Sequence, residues 1–121
     1  MEIQSLPVYD SARRLYLQME RSTQKIPRNV RMNQLAEAEK WVITIMENIA
    51  FANKVVNNAR ARYEFIATAL NHLHKLEIRM RVFFDLGIIR EVGFDEIIRI
   101  EADVERQLAG WLNKTYNECQ Q

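Results

Sequence analysis

Three observations predict an all-α protein, an antiparallel up-down-up-down four-helix bundle with residues 1–121 as a single domain. Apolar residues recur at steps of 3 and 4 through four long segments, and only a helix of ~3.6 residues per turn gathers that spacing onto one face. Gly occurs three times and Pro twice, too few for the turns of a sandwich or barrel or for a Gly-rich nucleotide loop. The links between the periodic segments are short, which favours antiparallel neighbours. The 121 residues have the size of one ordinary domain, with an apolar share of 48% that suffices for one core.

The first helix is predicted over residues 7–24, after a short tail at residues 1–6. Pro7 suits a first helical turn. Val8, Ala12, Leu15, Met19, Ser22 and Ile26 follow at steps of 4, 3, 4, 3 and 4. Pro27 disfavours helical geometry in Ile26, so Pro27-Arg28-Asn29 is read as the turn. The second helix, over 30–54, carries Leu35, Ala38, Val42, Ile45, Ile49, Ala52 and Val56 in unbroken alternation of 3 and 4. Trp41 and Met46 flank that stripe, in reach of a neighbouring groove. Asn57-Asn58 supplies a break and a cap before the next helix.

The third helix, over 59–84, is the element around which a bundle has to form. Ile66, Ala69, Leu73, Leu76, Met80 and Phe83 make its apolar stripe, widened by Phe65, Leu70 and Phe84. Opposite lie Arg60, Glu64, Asn71, His74, Lys75 and Arg81, with Arg79 at the edge. At ~1.5 Å per residue it spans roughly 39 Å, so it needs partners of similar length. Gly87 is the expected left-handed stop, and Gly93 opens a further turn. The fourth helix is predicted over 95–116 through Ile97, Ile100, Val104, Leu108, Trp111 and Thr115, with Asp95 and Glu96 in its first turn. Gly110 suggests a close helix crossing, and residues 117–121 a frayed tail.

The residues give no support for an enzyme, a metal or a cofactor. Di-metal bundles use Glu-x-x-His pairs, whereas Ala69 and Asn71 stand three residues before His72 and His74. Those two histidines diverge on one helix and cannot jointly grip an ion. No Ser, Cys or Thr has a visible base beside it, and no phosphate loop or dinucleotide fingerprint occurs. The one cysteine, Cys119, allows no intrachain disulfide and points to a reducing compartment. With no leader pattern and no apolar run near ~20 residues, a cytoplasmic location without membrane contact is expected.

Charge is nearly balanced, 17 Lys plus Arg against 16 Asp plus Glu, but unevenly laid out. Residues 1–32 hold six basic side chains, Arg13, Arg14, Arg21, Lys25, Arg28 and Arg31, against three acidic. Residues 59–87 hold five basic against three acidic, and residues 88–121 four against seven. Basic helices one and three would face phosphates, and in a symmetric oligomer their patches would add into a ring. Otherwise they are solvated faces with i,i+4 pairs worth ~0.2–0.5 kcal/mol each. Ala67 and Ile78, on the outer face of helix three, hint at an oligomer contact.

Several motifs carry a family resemblance. Ile26-Pro27-Arg28 after a Tyr- and Leu-bearing helix, Met46-Glu47-Asn48-Ile49-Ala50-Phe51-Ala52-Asn53, Arg62 with Leu70, Leu73 and Leu76, and Leu108-Ala109-Gly110-Trp111 stand in one order from Tyr9 to Trp111. Together they resemble the accessory variability determinant (Avd) family of diversity-generating retroelements. The resemblance implies a bundle that assembles as a homopentamer, binds the reverse transcriptase and RNA or DNA, and supports mutagenic cDNA synthesis without chemistry of its own. Its members are typically strongly basic, whereas this chain carries +1. The bundle proteins of 23S rRNA intervening sequences share size and topology, and imply a structural or RNA-binding alternative. The candidate contacts for nucleic acid or partner are Arg13, Arg14, Arg21, Arg28, Arg31, Arg60, Arg62, Lys75, Arg79 and Arg81.

Overall fold

Pro7, at the first helical position, and the 3–4 stripe behind it open the first of the four helices among the described residues. In the computed structural model, which describes Glu2 and residues 6–121, α1 is Pro7–Ser22. α2 starts with the turn Arg28–Val30, passes through a π-helical Arg31–Leu35 and continues as Ala36–Lys54. α3 is Ala59–Asp85 and α4 is Glu91–Cys119. The described residues contain no strand, and no helix among them is long and apolar enough to cross a membrane. The expected tail falls mostly outside the described residues; within it, Leu6 packs against the core.

The stripes become one core. All six predicted positions of α3, Ile66, Ala69, Leu73, Leu76, Met80 and Phe83, are fully buried. Val8, Ala12, Leu15 and Met19 meet them from α1, Leu35 to Ala52 from α2, and Ile97, Val104 and Leu108 from α4. Burying one such Leu or Ile contributes about 1.5–3 kcal/mol, against about 0–1 for an exposed ion pair, so the stripes hold the bundle. Four stripe members depart: Val56 is 79% exposed because α2 ends before it, and Ser22, Ile100 and Trp111 are only half-buried. α1 packs on α2 and α4, and α3 packs on the same two, which leaves α1 and α3 at opposite corners.

Contacts between helices pair residues in reverse chain order. Ser11 Oγ donates to Asp103 Oδ2 at 2.8 Å, while Ser22 lies against Gly93 at the other end of the α1–α4 seam. Along α3–α4, Arg62 pairs with Glu118, His74 with Glu105 at 3.1 Å, and Phe84 stacks on Phe94 at 4.3 Å. Along α2–α3, Arg79 reaches Gln34 and Glu37, and Arg62 reaches Val55 and Val56.

Several boundaries differ from expectation. Thr23 ends α1 early: its hydroxyl donates to the Met19 carbonyl at 2.6 Å, and it is fully buried. Pro27 is the extended N-cap of α2, so Arg28 and Asn29 belong to the helix and not to the turn. The Asn58 side chain caps α3 by accepting from the Ala61 N–H at 3.1 Å. Gly87 stops it at φ +76, and Ile88 N–H closes the end on the Phe83 carbonyl at 2.8 Å.

α4 corrects the reading most. It begins at Glu91, so Gly93 is helical and Asp95 and Glu96 lie beyond the first turn. A Cβ on Gly93 would meet Ser22 Oγ at 2.7 Å, so this glycine is where two helices approach closely. Gly110 has no heavy atom within 4 Å of an added Cβ and is no crossing point. The helix persists to Cys119, with Glu118 held by Arg62, where a frayed tail was expected.

Candidate functional site

The ten cations singled out in the sequence divide into three groups. Arg62, Arg79 and Arg31 are committed to the fold. Arg62, 12% exposed, donates to the Val55 carbonyl at 2.9 Å and pairs with Glu118, tying the α2–α3 link to the end of α4. Arg79 donates to the Gln34 carbonyl at 2.7 Å and to Glu37 at 2.6 Å, and lies 4.6 Å over the Trp41 ring. Arg31 donates to the Thr23 and Gln24 carbonyls at 2.7 and 3.0 Å, satisfying groups at the end of α1. The ten therefore do not form one surface, because three of them direct their hydrogen bonds inward.

The second group sits on α3 and at the start of α2. Arg60, Lys75 and Arg28 are exposed and join no ion pair among the described residues. Arg81 pairs with Asp85 at 3.3 Å beside the Phe84 and Phe94 rings. The α3 members stand at the corner opposite α1, so the basic faces of helices one and three do not merge within one subunit.

The third group converges. Arg13, Arg14 and Arg21 of α1 line a groove whose far wall is Arg99, Ile100, Glu96 and Asp103 of α4. Towards the Gly93 end it continues past Lys25 and Arg90. The close α1–α4 approach at Gly93 brings Lys25 and Arg90 to the same end of the seam as Arg21. Lys25, Arg90 and Arg99 are not among the ten. Helix four reads as acidic along the chain, which hides Arg90 and Arg99, and Lys25 stands beyond the predicted first helix. The signal that could have found Arg99 is its register against the buried stripe of its own helix.

Electrostatics leave this groove positive. Arg21, Lys25 and Arg90 join no ion pair among the described residues. Arg13 and Arg14 share Asp10 at 3.1 and 3.3 Å, and Arg99 pairs with Glu96 at 2.8 Å. Asp103 is largely occupied: the Ser11 hydroxyl, Arg106 and Gln107 all donate to it and hold its carboxyl below the usual range. Arg14 stands 4.0 Å from it. Leu17 and Ile100 supply an apolar floor between the charges.

A different cluster lies on the α3–α4 seam. Glu101 is 4% exposed, and its Oε2 has no hydrogen-bond partner among the described residues. Burial, and then the charges of Glu77 and Glu105, push its carboxyl up to about 8. His74 Nε2 lies 3.1 Å from Glu105 Oε1, and Glu77 is hydrogen-bonded to Glu105. His72 instead meets the Thr68 carbonyl through Nδ1 at 2.9 Å. The histidines do diverge, yet one of them faces carboxylates of its own helix and the next.

No family model and no curated protein sequence match this chain.

Proposed function

We propose that this protein is a non-catalytic interaction subunit that binds nucleic acid along the α1–α4 groove. The carrying observation is the groove itself: six cations, Arg13, Arg14, Arg21, Lys25, Arg90 and Arg99, around an apolar floor, against the carboxylates Glu96 and Asp103. Guanidinium groups contact phosphate oxygens in pairs, and Leu17 and Ile100 offer contact to sugars or bases. The family resemblance supplies the context: an accessory protein of a diversity-generating retroelement that binds the reverse transcriptase and holds RNA or cDNA.

The same reading includes an up-down-up-down topology, a single domain, a homo-oligomer and a cytoplasmic setting. Reverse-order pairs on three seams, such as Arg62 with Glu118 and Ser11 with Asp103, support the topology. The oligomer, a pentamer by resemblance, draws support from exposed apolar residues, Ile78 at 68% and Val82 at 42% on α3 and Ile43 and Phe51 on α2. In a ring, each subunit's groove would add to one field and offset the modest net charge of +1.

Fluorescence anisotropy of a labelled single-stranded RNA across a salt series tests the proposal. Affinity should fall by ~0.7–0.9 log units per log of salt for each phosphate neutralised. Salt-independent binding, or none at low salt, rejects the nucleic-acid function. Co-purification of a reverse transcriptase tests the partner separately; its failure with RNA binding intact would favour the intervening-sequence type of bundle.

A further inference from the structure

The acidic cluster on the α3–α4 seam has no part in the groove, and it joins an imidazole and two carboxylates to a third carboxylate that is buried. Donor atoms of His74, Glu77 and Glu105 lie within 4.8 Å of one another. Ligands about 2.0–2.2 Å from a common ion stand a little closer than that, and two of these side chains are long enough to close the difference. Glu101 is one turn before Glu105 on the same face of α4 and interacts electrostatically with both Glu77 and Glu105. Among the described residues, no arginine or lysine is ion-paired with Glu77, Glu101 or Glu105.

Three carboxylates therefore share one imidazole, and the innermost presents a buried oxygen with no donor. An unmatched buried carboxylate is destabilising, and proton sharing is one remedy; a cation is the other. We propose that His74, Glu77 and Glu105 ligate a divalent transition-metal ion of the zinc class, with Glu101 as the inner carboxylate behind it. An imidazole among carboxylates suits zinc, iron or manganese, whereas calcium and magnesium favour oxygen alone. The site is open on one side, since the His74 and Glu105 side chains are 58% and 44% exposed, so an ion can enter without unfolding the bundle. The i,i+3 pair His74 and Glu77 on α3 and the i,i+4 pair Glu101 and Glu105 on α4 place all four on adjoining turns. An ion there would cross-link two helices at mid-length.

The test is calorimetric titration of the untagged full chain with zinc, repeated with magnesium and followed by cobalt absorption spectra. One zinc per chain is expected, with magnesium much weaker and a cobalt spectrum of nitrogen–oxygen ligation. His74→Ala and Glu105→Gln should each weaken zinc binding at least about tenfold, and Glu101→Gln by about tenfold, because an amide cannot give up a proton to the field of a bound ion. His72→Ala and Cys119→Ser should bind like the parent. Circular dichroism checks that each variant is folded; His74 and Glu105 are exposed enough to change without disturbing the core. No zinc binding, equal magnesium binding, or parental affinity in His74→Ala and Glu105→Gln would overturn the site. Parental affinity in Glu101→Gln alone would overturn the role given to that carboxylate.

Discussion

Arg62 shows how a side chain read as a contact for phosphate serves the fold. Its guanidinium bridges the carbonyls of the α2–α3 link and Glu118, and only 12% of it reaches solvent. Removing it leaves link carbonyls without their donor, so Arg62→Ala should lower unfolding stability by about 1–2 kcal/mol, read from urea midpoints. Arg62→Lys should not restore it, because an ammonium lacks the fork that reaches both sides. Glu39 carries a pH dependence. Its hydrogen bond to Glu20, then burial and the Glu20 charge, raise its carboxyl from 4.5 to about 7, opposed by Arg31. Tyr16 on α1 is raised too, by burial and by Glu39 and Glu20. Between pH 4.5 and about 7 the unfolded chain gives up a proton that the folded chain keeps, so stability from this group falls as pH rises. Glu39→Gln should therefore gain about 1 kcal/mol over the parent above that window, discounted for solvent screening, and nothing below it. Denaturation at the two pH extremes gives the comparison. Neither residue was legible this way, since partners 56 and 19 positions apart are set by helix packing.

At the scale of elements, the stripe of α3 was readable to the residue and that of α2 as far as Ala52, while the ends were not. Thr23, Pro27 and the π-helical Arg31–Leu35 decide how α1 hands over to α2, and the π segment lets Arg31 reach the end of α1 while Leu35 enters the core. Periodicity reports the face of a helix and is silent on where local hydrogen bonds stop it. The two helical glycines of α4 make the contrast testable. Gly110→Ala should stabilise by about 0.5–1 kcal/mol, because an exposed helical position with open space gains only backbone rigidity. Gly93→Ala should be net destabilising, because its methyl displaces Ser22 Oγ, to which Gln18 donates at 3.0 Å. Thermal midpoints of the two variants should shift in opposite directions; a rise in both would mean that α1 yields easily at Ser22.

For the whole molecule, the charge layout matters more than its total. Replacing Arg13, Arg14 and Arg21 with Gln together should weaken RNA binding and flatten its salt dependence, by about one unit of slope for each phosphate no longer neutralised. Replacing Arg60 and Lys75, at the opposite corner, should leave a single groove's affinity unchanged. An effect of that pair equal to the first would mean that oligomer assembly, and not the α1–α4 seam, creates the binding surface. Light scattering decides whether such an assembly exists, with a multimer expected and a monomer at high micromolar concentration counting against it.

The sequence by itself determined the class of fold, the buried face of each helix and the imbalance of charge along the chain. These follow from 3.6-residue periodicity and composition, which act within one segment. Tertiary structure alone decided which charges remain available. It sent Arg62 and Arg79 inward, joined Lys25, Arg90 and Arg99 to the groove of α1, gathered His74, Glu77 and Glu105, and buried Glu101 within their electrostatic reach. The reason is physical: a stripe of apolar residues chooses its own side of a helix, but the neighbour of a charged side chain depends on which helix packs beside it and at what height.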